Sequence, residues 1–147
     1  IKMSIALTRQ VRLRIGAGTA KPGPAIGQAL GPLGLNMAEF CKQFNDVTKD
    51  FEKEVPVPVK LSAYSNRSFT FSVQTPPTSW FLKRCSNLKK GSGRPGHEIV
   101  GSVHVKQVYE IALMKLRDPH LSHLSHESLA KSIAASALSM GLKVVRD

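Results

Sequence analysis

The chain has 147 residues, of which 41% are hydrophobic and 6% aromatic, so it can form folded, mainly aliphatic cores and is not a wholly disordered protein. Lysine and arginine outnumber aspartate and glutamate by 21 to 10, and a net charge of +11 predicts a polyanionic partner, either a nucleic acid or an anionic membrane surface. No apolar run reaches the roughly 20 residues that cross a bilayer, which argues against an integral membrane protein, and two cysteines favour a reducing compartment over secretion.

Two long stretches of the chain contain basic residues but no acidic residue. One runs from the N-terminus to Ala38, and the other fills the interval between Glu54 and Glu98. A solvated face that only keeps the protein soluble is the alternative, but solubility does not require long stretches without any carboxylate. The distribution therefore favours a polyanion as the partner.

The first half begins with a strand pattern and a glycine-rich segment. Residues 10–15 alternate polar and apolar side chains, which is typical of a half-buried strand. Residues 16–34 contain six glycines and three prolines, which predicts a loop with a short helical turn.

A helix and two further strands complete this half. Asn36 followed by Glu39 resembles a capping box with asparagine as the cap. The next apolar residues lie at helical spacing on one face: Met37, Phe40, Cys41 and Phe44. Residues 57–63 and 68–73 are predicted to be two strands joined by a turn. The N-terminal half is therefore expected to be α+β, with three strands and helical segments.

Residues 74–78, with the sequence QTPPT, mark the boundary between the halves. Two consecutive prolines lack backbone donors and hold the preceding residue extended. Basic residues exceed acidic ones by five before Thr75 and by six from Thr75 onward, so both halves are basic. We predict an N-terminal domain over 1–74, a semi-rigid Pro-Pro linker over 75–78 and a C-terminal domain over 79–147.

The second half predicts an all-α domain of three helices. Thr78 is expected to cap the first helix, and residues 99–103 form a short extended piece. The third helix covers about residues 126–140 and ends with Gly141 at its C-cap. The apolar residues expected to mark the helices are Phe81, Leu82, Cys85 and Leu88 in the first, Val105, Val108, Tyr109, Ala112 and Leu116 in the second, and Leu129, Ile133, Ala137 and Met140 in the third.

The basic loop, residues 89–97 with the sequence KKGSGRPGH, combines positive charge with the backbone freedom of its glycines. On RNA it can lay its amides and cations along a phosphate turn and gain affinity through counterion release. A merely flexible surface loop is the alternative. The RNA-contacting residues expected here are Lys89, Lys90, Gly91, Ser92, Gly93 and Arg94.

A serine stripe lies along one face of the third helix and consists of Ser128, Ser132, Ser136 and Ser139. Small side chains allow another backbone to approach, and hydroxyl groups can bond to phosphate or sugar oxygens. An ordinary solvated face is the alternative, but such faces usually carry glutamate and lysine, which this stripe lacks. We therefore interpret it as a second contact face for RNA.

Other site types are disfavoured by their local context. Gly91, Gly93 and Gly96 match the dinucleotide fingerprint, but a helix precedes them and a strand-like piece follows, the reverse of what a pyrophosphate site needs. Three histidines, His120, His123 and His126, lack the supporting ligands of a metal site. Cys41 and Cys85 are predicted to be buried free thiols. We expect no catalytic residues, no metal, no cofactor and no small-molecule substrate.

Several stretches, in order along nearly the whole chain, resemble the large-subunit ribosomal protein L-eleven (L11) family. They are residues 16–24 (GAGTAKPGP), 27–31 (GQALG), Asn36 with 39–42 (EFCK), 44–45 (FN), 68–71 (SFTF), 75–77 (TPP), 90–91 (KG), 99–101 (IVG) and 139–141 (SMG) followed by Val144 and Val145. One such motif would be weak, but so many in register are a specific match.

The resemblance implies an α+β N-terminal domain and a helical C-terminal domain that binds large-subunit rRNA at the stalk base, in the GTPase-associated centre. It implies neighbouring stalk proteins as partners and translational GTPases as transient ones. The RNA-contacting residues it implies, besides the basic loop, are Thr75, Pro76, Ser136, Ser139, Met140 and Gly141. It implies a factor- and antibiotic-facing loop at Pro22, Pro24, Ala25 and Gln28. Lys42 matches a lysine that is methylated in bacterial relatives.

The chain departs from the bacterial pattern at several positions. Ala25 and Gln28 stand where bacterial members usually have proline, which argues against expecting thiopeptide sensitivity, and Ala135 stands where they usually have glycine, which implies a slightly different approach of the third helix to RNA. Residues 117–125 look longer than bacterial versions and, with residues 108–112, are similar to mitochondrial members. We therefore expect the mitochondrial matrix, with a bacterial or plastid origin as the alternative.

Two competing functions remain open at this point. A free-standing RNA-binding regulator would act on RNA outside ribosomes. A basic protein of the membrane surface is disfavoured because the cations lie in loops rather than along a long amphipathic helix.

Overall fold

The computed structural model describes residues 6–146, so Lys2 with the rest of residues 1–5, and Asp147, lie outside the described part. The chain divides between Gln74 and Thr75 into two compact units. Within the described residues, no helix is long and apolar enough to cross a membrane.

The first unit is a three-stranded antiparallel meander with helices between its first two strands. Its sheet order is β1-β2-β3. The elements are β1 (Leu7–Gly16), α1 (Pro24–Leu30), a 3₁₀ turn (Gly31–Leu33), α2 (Met37–Val47), β2 (Pro56–Tyr64) and β3 (Phe69–Val73). The coarse prediction of an α+β unit with a three-stranded sheet is confirmed.

Alternation along β2 builds the core of this unit. Val57, Val59, Leu61 and Ala63 are all buried, and the intervening residues are half-buried. Because strand side chains alternate between faces, this pattern gives β2 one face toward the core. The partner layer is α2, whose Phe40 and Phe44 are fully buried; Phe40 packs edge-on against the rings of Phe69 and Phe71.

The residues at the starts of α2 and α1 favour a helix start for different reasons. Asn36 caps α2 because its Oδ1 accepts from the amides of Ala38 at 3.1 Å and Glu39 at 3.4 Å. The glycine-rich segment contains a full helix, α1, rather than a short helical turn. Its first residue is Pro24, whose fixed φ suits the start of a helix, and burial of Ile26 and Leu30 holds it to the unit.

The second unit contains α3 (Thr78–Cys85), β4 (Gly101–His104), α4 (Val105–Lys115), α5 (His126–Ser139) and β5 (Leu142–Val145). The residues that form its buried core are Leu82, Val103, Val108, Ile111, Ala112, Leu129, Ile133, Ala137 and Leu142. Ser125 caps α5 by accepting from the Ser128 amide at 3.2 Å.

The expectation that this half is all-α is wrong, because β4 and β5 pair in parallel from Gly101 with Leu142 to His104 with Val145. Each strand has only four residues, too few for alternation to distinguish it from loop. The pairing buries Val103 and Leu142 in the helical core. The pairing of β4 with β5 therefore joins the segment before α4 to the segment after α5.

Two details of the helices also differ from expectation. The residue that caps α3 is Pro77 rather than Thr78, and its carbonyl oxygen accepts from the Trp80 amide at 2.9 Å. On α4, Tyr109 is 50% exposed, whereas Lys115 is buried. The helix is rotated so that its inward face follows the spacing of Val108, Ile111, Ala112 and Lys115.

Candidate nucleic-acid interface

The structure brings the basic loop and the end of α5 together. The Ser92 amide donates to the Met140 carbonyl oxygen at 3.0 Å, and the Val100 amide donates to the Gly141 carbonyl oxygen at 2.9 Å. The pairing of β4 with β5 begins next to this point, at Gly101 and Leu142. Two predicted contact surfaces that are far apart in sequence therefore form one continuous patch.

Gly141 is required at this junction for two independent reasons. Its φ of +77° lies in the left-handed region, where side chains are strained. A Cβ at this position would also lie 2.5 Å from Ser92 Cβ and 2.9 Å from the Glu98 carbonyl oxygen. Only glycine allows the loop to lie this close to the C-terminus of α5.

The basic loop holds its own shape through a small set of bonds around Arg94. The Arg94 amide donates to Ser92 Oγ at 3.0 Å, and the amides of His97 and Glu98 donate to the Arg94 carbonyl oxygen at 3.2 and 3.1 Å. The side chains of Lys89, Lys90 and Arg94 are exposed. Cations are thus displayed from a backbone with fixed anchors, which suits contact with phosphate groups.

The serine stripe continues this patch along α5. Ser128, Ser132 and Ser139 are exposed, and Ser136 is half-buried. Ser136 Oγ donates to the Ser132 carbonyl oxygen at 3.0 Å, and Ser139 Oγ donates to the Ser136 carbonyl oxygen at 2.7 Å. A hydroxyl that donates keeps accepting capacity on its oxygen, so this stripe of small, uncharged side chains can accept hydrogen bonds.

Thr75 and Pro76, the other predicted RNA contacts, lie in a different environment. The Thr75 amide donates to Asp118 Oδ1 at 2.9 Å, and its hydroxyl donates to Asp118 Oδ2 at 2.6 Å. Lys115 Nζ donates to the Thr75 carbonyl oxygen at 3.2 Å, and Pro76 is buried. The polar groups of Thr75 are therefore engaged within the second unit, and RNA contact at these two residues stays a prediction.

The buried pair of Lys115 and Asp118 escaped the sequence analysis. Lys115 Nζ lies 3.6 Å from Asp118 Oδ2, and their side chains are only 10% and 4% exposed. Burial lowers the pKa of Lys115, and the attraction of Asp118 opposes that effect. A signal for the pair does exist, because Lys115 continues the inward spacing of Val108, Ile111 and Ala112 and so needs a buried partner.

The predicted factor-facing loop belongs to the first unit, where Pro22, Pro24, Ala25 and Gln28 are all exposed. Part of this segment, residues 14–16, 19–21 and 23–26, lines a pocket of about 290 Å³. Lys42, the predicted methylation position, is exposed on α2.

The backbone next to that loop is fastened to the C-terminal half of α2. Asn45 exchanges two hydrogen bonds with the backbone of Ala20, each 3.0 Å long, and Thr48 Oγ1 accepts from the Gly18 amide at 3.1 Å. The exposed loop thus rests on a fixed base, which suits a surface that meets partners.

Both cysteines are free thiols; Cys41 is buried, whereas Cys85, also expected to be buried, is only half-buried. Burial raises the pKa of the thiols of both Cys41 and Cys85. Among residues 6–146, no group of three or more His, Cys, Asp or Glu side chains is placed to hold a metal ion.

Comparison with known proteins gives two family matches and a set of relatives. The family model described as the N-terminal domain of ribosomal protein L11 matches residues 11–69, and the model described as its RNA binding domain matches residues 74–144. The large ribosomal subunit protein uL11 of Rhodopseudomonas palustris is 47% identical over 142 residues, covering 97% of this chain and 99% of that protein. The large ribosomal subunit protein uL11m of Schizosaccharomyces pombe is 44% identical over 143 residues, with the same coverage of both chains.

Proposed function

We propose, given that the chain belongs to the ribosomal protein L11 family, that it is a structural constituent of the large ribosomal subunit and binds rRNA through its second unit. The family model for RNA binding covers residues 74–144, which include the joined basic loop and α5. The chain is a binding protein rather than an enzyme.

One observation carries this proposal: the junction of Gly141 with Ser92 and Glu98. It places the exposed cations of the basic loop beside the small, uncharged face of α5. Cations contact phosphates without regard to sequence, whereas a face of small side chains lets a folded RNA approach the helix backbone closely. The patch therefore has the two features that recognition of a folded RNA needs.

We place the chain at the stalk base, in the GTPase-associated centre, with stalk proteins as neighbours and translational GTPases as transient partners. The support is the exposed loop of the first unit at Pro22, Pro24, Ala25 and Gln28, which the family resemblance aligns with the factor-facing surface. In this role the second unit holds the RNA and the first unit meets the factors. The chemistry of GTP hydrolysis stays with the factors themselves.

We further place the chain in the mitochondrial matrix, within the mitochondrial ribosome. The support is the similarity of residues 108–112 and 117–125 to mitochondrial members, together with a relative whose name is uL11m. Labelling the chain in cells of its source and fractionating them tests this placement. Recovery in the cytosol or in plastids would overturn the mitochondrial assignment and leave the ribosomal role intact.

Sedimentation tests the ribosomal role against the competing functions. The full chain should migrate with large subunits through a gradient after a wash in moderate salt, whereas a Gly141→Val variant should be depleted from that fraction. Recovery of the wild-type chain with small RNAs at the top of the gradient would instead support a free-standing RNA-binding regulator. Recovery with lipid vesicles would support a membrane-surface protein.

A further inference from the structure

Trp80, the only tryptophan of the chain, lines a pocket at the start of the basic loop. The pocket has a volume of about 390 Å³, within the range of about 300–1,000 Å³ that small-ligand sites occupy. Its lining residues are Trp80, Lys83, Arg84, Asn87, Leu88 and Lys89. None of the features derived above uses the aromatic part of this pocket.

The C-terminal end of α3 shapes the pocket. The Leu88 amide donates to the Lys83 carbonyl oxygen at 2.9 Å, and the Asn87 amide donates to the Arg84 carbonyl oxygen at 3.3 Å. Asn87 has a φ of +52°, so the chain turns back in the left-handed way that ends many helices. This turn directs Lys89 back beside Lys83 and Arg84, where it completes the lining.

The pocket presents flat groups and positive charge together. The Arg84 guanidinium lies 5.2 Å from the centre of the Trp80 ring, and the Phe81 ring packs edge-on against that indole at 5.1 Å. The indole and the guanidinium plane are groups on which unpaired bases stack. Lys83 and Lys89 add two further cations, and the residues that line the pocket include no carboxylate.

We propose that this pocket takes one unpaired nucleotide of the rRNA, with its base against Trp80 and Arg84 and its phosphate near Lys83 and Lys89. The inference rests on the proposed function, because the nucleotide belongs to the RNA that the basic loop contacts. Lys89 belongs to both surfaces, so an RNA strand that follows the basic loop continues into the pocket. Charge complementarity and this continuity favour RNA over an apolar occupant.

Trp80 itself provides the readout, because it is the only tryptophan of the chain and it lines the pocket. The full chain is titrated with a transcript of the stalk-base region of bacterial large-subunit rRNA, and binding is followed in parallel by gel mobility. We expect the Trp80 emission to be quenched as the complex forms, and the bound indole to be protected from further quenching by acrylamide. A complex that forms without change in emission or acrylamide access would overturn the pocket and leave rRNA binding intact.

Two further outcomes are decisive. If the transcript fails to bind at all, the proposed function itself fails. If free AMP or UMP quenches Trp80 as strongly and at the same concentration as the transcript, the site takes free nucleotides rather than rRNA.

A matched pair of variants tests the stacking contact without fluorescence. Trp80→Leu removes the flat ring, and Trp80→Phe keeps one; far-UV circular dichroism checks that both fold. Since stacking on one base is worth a measurable share of affinity, Trp80→Leu should weaken transcript binding by roughly five- to a hundredfold while Trp80→Phe retains most of it. Equal affinities for the two variants and the wild type would contradict the proposal, and Arg84→Gln repeats the test if Trp80→Leu does not fold.

Discussion

The carboxylate of Asp118 binds both donor groups of Thr75, accepting the amide at 2.9 Å and the hydroxyl at 2.6 Å. Lys115 holds the Thr75 carbonyl oxygen at 3.2 Å. The preceding residue, Gln74, belongs to the first unit, where its amide donates to the Pro58 carbonyl oxygen at 3.0 Å. We infer that the joint lies at the Gln74–Thr75 peptide and that the two prolines act as part of the second unit.

Replacing Asp118 with Ala should destabilise the second unit by about 3 kcal/mol, because the buried Lys115 ammonium loses its counter-ion. Unfolding is followed by the fluorescence of Trp80, which reports on this unit alone. Limited proteolysis near residues 74–78 should also become faster, since Thr75 is released. The double variant Lys115→Met with Asp118→Ala, which leaves no buried charge, should recover part of the stability.

The pH dependence of the Asp118→Ala variant gives a second test. The pKa of Lys115 is lowered in the folded chain, and loss of Asp118 lowers it further. Between this lowered pKa and the ordinary lysine value of about 10.4 in the unfolded chain, the unfolded state binds more protons, so stability rises with pH. The deficit of the variant should therefore shrink between neutral pH and about pH 10. A stability deficit that stays constant between neutral pH and about pH 10 would show that burial of the charged Lys115 does not destabilise the folded variant.

Replacing Gly141 with Ala should lower the free energy of unfolding by more than about 2 kcal/mol, because the left-handed φ and the contacts with Ser92 and Glu98 both oppose a Cβ. RNA affinity should fall as well, since the loop leaves its place beside α5. Gly93→Ala, in the basic loop, is the matched control, because a Cβ at this position meets nothing within 4 Å. We expect this variant to change the free energy of unfolding by less than about 0.5 kcal/mol. Similar losses in both variants would mean that the junction has no special role.

Replacing Lys89, Lys90 and Arg94 together with Ala should weaken binding to an rRNA fragment and flatten its salt dependence. Each lost phosphate contact should reduce the log–log slope by about 0.7–0.9. The control removes three exposed cations of the first unit, Lys42, Lys49 and Lys53, and should leave the slope nearly unchanged. A slope that is the same in the triple variant and in the wild type would remove the basic loop from the interface.

Replacing Pro76 and Pro77 with Gly should keep the chain in large subunits but lower factor-dependent GTP hydrolysis on them. Glycine raises the conformational freedom next to the joint, so we expect the first unit to be less restricted when it meets the factors. GTPase turnover is measured on reconstituted subunits whose occupancy by the variant has been checked. Wild-type turnover at full occupancy would show that the restricted backbone of the two prolines plays no part in factor action.

Local patterns were sufficient for most elements of the fold. Asn36 at the start of α2 and Gly141 after the end of α5 are short-range signals that depend on residues within one helical turn. The alternation along β2 likewise reflects a single buried face. Where one face of an element packs against a single core, the spacing of its apolar residues matches the positions that are buried.

The remaining features depend on residues that are distant in sequence. The pairing of β4 with β5 follows from tertiary packing rather than from the pattern of four residues. The bonds between Thr75 and Asp118 join residues 43 positions apart, and no local spacing indicates them. The sequence predicts the two contact surfaces separately, and only the fold shows that Ser92 and Met140 bring them together.

Division of the chain into its two units tests whether the second unit carries the rRNA-binding surface. Fragments 75–147 and 1–74 are titrated separately with the stalk-base transcript, at several salt concentrations, beside the full chain. We expect fragment 75–147 to fold alone and to bind within about 1.4 kcal/mol, a factor of ten, of the full chain, whereas fragment 1–74 should bind far more weakly. Tighter binding by fragment 1–74 would show that the first unit carries the rRNA-binding surface and would invert the roles of the two units.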